Sequence, residues 1–86
     1  MEITLSLPHS NLYKFSIGNL DIYFSYNTAV AYEDNQGNLV VSQNQWSRTT
    51  ASHLTYIDKG AVEDRIPYEE FKKELKRAIE RELKYD

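Results

Sequence analysis

The stretch Ile22–Ile57, IYFSYNTAVAYEDNQGNLVVSQNQWSRTTASHLTYI, decides the fold. Together with the preceding Leu20, the residues Ile22, Phe24, Tyr26, Thr28, Val30 and Tyr32 share one parity, the period-2 pattern of a half-buried strand. The Asn27-Thr28 step in the middle has poor strand propensity. It predicts a bulge or sharp bend that makes two strands out of one. Asp34–Asn38 is a turn by composition, and Leu39, Val40 and Val41 form the returning strand. A polar segment led by Trp46 follows. Ser47 or Thr49 can N-cap a short helix near 49–57, with Leu54 and Ile57 facing inward and Gly60 as a left-handed stop.

Working outward, Tyr13, Phe15 and Ile17 alternate with Lys14 and Ser16. Gly18-Asn19 then gives a tight primed turn into Leu20. Ile3, Leu5 and Leu7 read as a further half-buried strand, ended by Pro8, which cannot donate to a ladder. On the C-terminal side, Pro67 suits a first helical turn and Glu69 and Glu70 favour a positive helix start. Tyr68, Phe71, Leu75, Ala78, Ile79 and Leu83 make one apolar stripe over a helix of about 67–84. Glu69–Lys73 and Glu80–Lys84 are i,i+4 pairs in the favoured orientation. The expected fold is a single small α+β domain over 1–86: an antiparallel meander of four to five strands, with the C-terminal helix packed on one face.

The chain has 86 residues, and a chain of this size buries only about 60–65% of its unfolded surface. Seven Tyr, three Phe and Trp46 supply bulky core material, which argues against disorder. No apolar run is long enough to span a membrane, and the N-terminus lacks the pattern of a signal peptide. The absence of cysteine removes disulfides, thiolate nucleophiles and the common structural zinc sites, and fits an intracellular protein. Ten Lys and Arg against 13 Asp and Glu give a net charge of −3, which disfavours nucleic acid as a partner. Acids and bases balance from Glu69 onward, so the negative excess lies in the sheet and loops. Ordinary solubility explains it, and a basic partner would be attracted to it.

No catalytic set emerges. His9 and His53 have no metal-ligand partner at helical or strand spacing, so no metal or cofactor is expected. Ser52, His53 and Asp58 assemble a nucleophilic triad only on paper, without an elbow or oxyanion signature. His53, if helical, reads better as a satisfied surface or core histidine. Asp21, Glu33, Asp34, Glu63 and Asp64 read as solvated charge, with nothing to bring two of them into an apolar pocket. The cluster Ser47-Arg48-Thr49-Thr50 offers hydroxyls, a guanidinium and a helix start that could cradle a phosphate, with Trp46 to stack a base. Simple N-capping with Arg48 in solvent explains the same residues. Tyr23 has the opposite parity to Ile22 and Phe24. A helix over the latter face would leave Tyr23 exposed, where it suits a protein interface or ordinary sheet-surface packing. The first strand, Ile3–Leu7, has no obvious guard on its edge beyond Pro8, which admits a homodimer.

The segments IYFSYNTAVAY (22–32) and WSRTTASHL (46–54) resemble small uncharacterised proteins of bacteriophages and mobile elements, which carry YFSY-T-P-V-A followed by W-S-x-T-T-x-x-H-L. Ala29 stands where that pattern has proline. The resemblance implies a phage origin and a life in the cytoplasm of a bacterial host. Small size, mild acidity and the lack of a catalytic set add to it the expectation of a non-enzymatic protein that binds and inhibits a host protein, with an anti-CRISPR-like action on a defence system as the leading case. The competing expectation is a nucleotide-binding, sponge-type protein that uses Trp46, Arg48, Thr49, Thr50 and His53. A third is a DNA-metabolism accessory protein.

Overall fold

The computed structural model describes residues 2–84. Five strands, β1 (Ile3–His9), β2 (Leu12–Ile17), β3 (Leu20–Ser25), β4 (Thr28–Glu33) and β5 (Leu39–Val41), form one antiparallel sheet in the order β1-β2-β3-β4-β5. Two helices follow, α1 (Arg48–Asp58) and α2 (Tyr68–Lys84), separated by a 3₁₀ turn at Val62–Asp64. The fold is the expected α+β meander, with five strands.

Turn chemistry sets the strand breaks. Gly18 has φ 59 and joins paired Ile17 and Leu20, the positive first angle that a two-residue hairpin demands. The break at Asn27 is a full reversal rather than a bend. Tyr26 takes φ 58, Ser25 pairs with Thr28, and β4 returns antiparallel beside β3. The bulge lies deeper in this hairpin: Tyr23 pairs with Ala31 and Phe24 with Ala29, leaving Val30 as the extra residue. A bulge resets the alternation. Ala29 and Tyr32 therefore pack on one face of the sheet and Val30 and Ala31 on the other. The single parity expected from Leu20 to Tyr32 is corrected at that point.

Both faces are covered. On one, Leu20, Ile22 and Tyr32 pack with Phe71 and Ala78 of α2, supported by Ile17, Phe24, Leu75 and Ile79. On the other, Val30, Ala31 and Val41 pack with Leu54 of α1, flanked by Tyr23 and Ile57. Helix α2 thus lies on the Ile22/Phe24 face. Tyr23 is half-buried beside α1 rather than exposed.

Strand β1 also departs from expectation. Ile3, Leu5 and Leu7 are 58%, 65% and 60% exposed rather than half-buried. Their neighbours across the ladder, Phe15 and Ile17, point to the α2 face, but α2 packs over β3 and β4 and leaves β1 uncovered. Pro8 does not end the strand. The pairing shifts register between Ser6 and His9, and that irregularity accommodates it within β1.

Helix α1 starts at Arg48, with Ser47 as its N-cap, and ends at Lys59 in the left-handed conformation, φ 57, one residue before Gly60. Pro67 precedes α2, and its carbonyl accepts the first helical bond from the Phe71 amide. Glu69 pairs with Lys72 at 3.2 Å, one residue short of the expected Lys73. The connection between the helices is clamped at both ends. Arg65 makes a two-pronged bond to Asp58, at 2.7 and 2.9 Å. Ile66 adds beside β5, donating to the Val41 carbonyl and accepting from the Gln43 amide. At the far end of α2, the Glu82 carboxylate accepts the Asn19 amide of the β2–β3 turn.

Candidate functional site

The N-terminus of α1 is built by short-range hydrogen bonds. The Asn44 side chain accepts from the Trp46 amide and donates to the Ser47 carbonyl, both at 3.0 Å, which holds the Trp-led segment in place. Ser47 has extended backbone, and its hydroxyl accepts from the Thr50 amide at 3.2 Å. Arg48 and Thr49 point to solvent. Thr50 and His53 do not: they are 4% and 3% exposed.

Those two buried groups belong to one polar chain that runs from the helix into the sheet. The Thr50 hydroxyl lies 2.9 Å from Ser25 Oγ, and Ser25 Oγ lies 2.7 Å from His53 Nδ1. His53 Nε2 lies 3.0 Å from the Ser10 carbonyl in the β1–β2 turn. A carbonyl can only accept, so Nε2 carries a proton, and in the neutral ring Nδ1 then accepts from Ser25. Ser25 in turn accepts from Thr50, and Thr50 accepts from the Ser47 hydroxyl at 3.3 Å. No polar side-chain atom buried among the described residues lacks a partner. His9 and Tyr26 close around the imidazole, with centroids at 6.3 and 5.9 Å.

This arrangement determines what these residues can do. Ser25 and His53 have the spacing of a nucleophile and its base, but Ser25 is 3% exposed and its hydroxyl is already bonded to Thr50. The triad drawn from Ser52, His53 and Asp58 does not form. The Ser52 hydroxyl donates to the Arg48 carbonyl, and Asp58 is held by Arg65. Capping and core satisfaction therefore account for Ser47, Thr50 and His53, while Trp46, Arg48 and Thr49 remain at the surface.

Asp58, Asp34 and Asp21 are also engaged. The Arg65 guanidinium holds the Asp58 carboxyl below its ordinary value, and burial only partly opposes it. Asp34 accepts from the amides of Gln36 and Asn38 within its own turn. Asp21 takes the Ser16 hydroxyl and sits 3.5 Å from Lys14. Burial pushes the Tyr23 phenol up, partly offset by Lys14, whose ammonium lies 6.0 Å from the ring centroid. Among the described residues no group of three or more His, Asp or Glu can hold a metal ion. No helix among them is long and apolar enough to cross a membrane.

The surface feature with binding chemistry lies along α2. Trp46, 36% exposed, packs edge-on against Tyr68 with centroids 4.9 Å apart, and Lys72 sits 5.0 Å from the Tyr68 ring centroid. Beside this cluster runs an open groove of about 360 Å³, floored by Ala29, Phe71, Leu75 and Ile79 and edged by Lys72, Lys76 and Glu80. Of these residues, sequence reasoning singled out only Trp46 as a binding candidate. The signal for the rest was present in the width of the α2 stripe. Leu75 and Ile79 stand one turn apart on the flank of Phe71 and Ala78, so a helix whose centre is buried leaves that flank at the rim.

Comparison with curated proteins finds no match, and neither does comparison with solved structures. The model of a family of unknown function, DUF8033, matches residues 4–73, a span that holds the sheet from Thr4 onward, all of α1 and the first turn of α2. The chain belongs to the DUF8033 family.

Proposed function

We propose that this chain is a non-enzymatic, phage-type accessory protein that binds and inhibits a host protein, with a host defence system as the leading target. The observation that carries the reading is the apolar groove beside Trp46 and Tyr68, rimmed by Lys72 and Lys76. An apolar floor with an aromatic end and a cationic rim suits a helix or loop that offers one bulky apolar anchor flanked by acidic side chains. The apolar floor supplies most of the affinity, and the lysines supply orientation and association rate.

The test is affinity capture from host lysate with the native chain, an Ile79→Glu variant and an Arg48→Ala variant, alongside phage plating on a defence-positive host. One host complex recovered by the native chain and by Arg48→Ala, but lost with Ile79→Glu, together with improved plating, is the expected result. Equal recovery by a folded Ile79→Glu variant, or no gain in plating, overturns the reading.

A further inference from the structure

We propose that two copies of this chain pair through β1 about a two-fold axis at Leu5, joining their sheets into one ten-stranded antiparallel sheet. The hydrogen-bond phase of the β1–β2 ladder supports this. The Gly18 amide donates to the Glu2 carbonyl at 2.8 Å, and the ladder continues with Thr4 opposite Ser16 and Ser6 opposite Lys14. In an antiparallel pair the bonded and non-bonded positions alternate. Glu2, Thr4 and Ser6 therefore turn their backbone groups toward β2, while Ile3 and Leu5 turn theirs outward, unpaired.

The side chains agree with the backbone. Ile3, Leu5 and Leu7 are all more than half exposed and sit on one face, and no charged residue lies between Ile3 and Leu7 to repel a neighbour. Natural edge strands carry such a charge, a covering loop or a bulge. Here the guards are Pro8 and the register shift after Ser6, and both lie beyond the run Ile3–Ser6. The opposite edge of the sheet is three residues long and is partly taken, because Ile66 pairs at the end of β5. The longer free edge is β1.

The occupant is a second copy because the strand is its own complement. A two-fold axis at Leu5 sets Leu5 of one copy against Leu5 of the other, and Ile3 against Leu7, so every apolar side chain meets an apolar one on the same face. The two outward backbone groups of Leu5 bond reciprocally across the axis. A standard interface buries about 800 Å² per partner, roughly one-seventh of the 5619 Å² surface of this chain. A five-residue edge contact is smaller than that, so the dimer is concentration-dependent. The groove on α2 lies away from β1, and the pairing is independent of the host-protein reading above.

Sedimentation equilibrium across micromolar to millimolar concentration tests the pairing, with the native chain, Leu5→Lys, Leu5→Cys and Ile79→Glu. Leu5 is exposed in the single copy, so Leu5→Lys leaves the fold intact. The expected result is a doubling of mass with concentration for the native chain and for Ile79→Glu, and its loss in Leu5→Lys. The chain has no cysteine, so Leu5→Cys gives one interchain disulfide on oxidation, at a Cα separation near 5.5 Å that the bond accepts. Exchange of the Leu5 amide slows only at dimer-forming concentrations. A native chain that stays monomeric at millimolar concentration overturns the proposal, as does a dimer that survives Leu5→Lys, or slowed Leu5 exchange that requires a different protein.

Discussion

Ser25, the last residue of β3, holds the ring of His53 in α1 through a 2.7 Å hydrogen bond, while the other ring nitrogen binds the Ser10 carbonyl at 3.0 Å. One imidazole therefore fastens the β1–β2 turn, the end of β3 and helix α1. Ser25→Ala leaves Nδ1 buried without a donor. A loss of about 1–3 kcal/mol is expected, read as a lower midpoint in urea with an unchanged slope. An unaltered midpoint would show that the chain is dispensable.

Asp58 and Arg65 make the second fastening, with side chains 4% and 7% exposed. The folded carboxyl lies below its ordinary value of 3.8, chiefly through the Arg65 bond. A depressed carboxylate contributes stability that is present above the unfolded value and is lost as pH falls through the folded one. Asp58→Asn therefore flattens the fall in stability below about pH 4. Arg65→Ala, which strands a buried carboxylate, costs about 3 kcal/mol at neutral pH. Urea titrations at pH 3 and pH 7 check both.

Lys59 closes α1 with φ 57 and an exposed side chain. A left-handed angle costs a non-glycine residue about 1 kcal/mol, and the Lys59 side chain is exposed rather than packed in the core. Lys59→Gly is expected to raise the melting temperature, whereas Lys59→Ala, which keeps the strain, does not. Equal effects of the two substitutions would place the gain in the lost charge instead.

At the β2–β3 turn, Gly18 has φ 59 and a Cβ there would collide with the Glu82 carboxylate. Gly18→Ala should cost about 1–2 kcal/mol. In a Gly18→Ala, Glu82→Ala pair the steric share disappears but the backbone share stays, so the double variant loses less than the sum of the singles. Strict additivity, measured by urea unfolding, would separate the α2 end from the turn.

Which parts of this molecule were legible in the residues follows the range of the forces involved. Gly18-Asn19, the Ser47 cap, the Leu54/Ile57 spacing and the α2 stripe are read over a few positions. There, turn geometry, capping and helical period act locally, and the structure places them where the residues put them. The five-strand order follows from hairpins too short to allow anything else.

What neighbours cover was not legible. The same alternation marks Ile3, Leu5 and Leu7 as it marks Leu20 and Ile22, yet only the second set lies under α2. The bulge at Val30 turns on which pairing best fills two opposed cores at once. His53, Thr50 and Arg65 become buried through Ser25, Ser10 and Asp58, partners from 7 to 43 positions away. The amino-acid sequence by itself determined the elements and their order, because those depend on local backbone preferences. Only the tertiary structure decided which apolar strip is core and which is an open edge, because burial is a property of what packs against a residue from elsewhere in the chain.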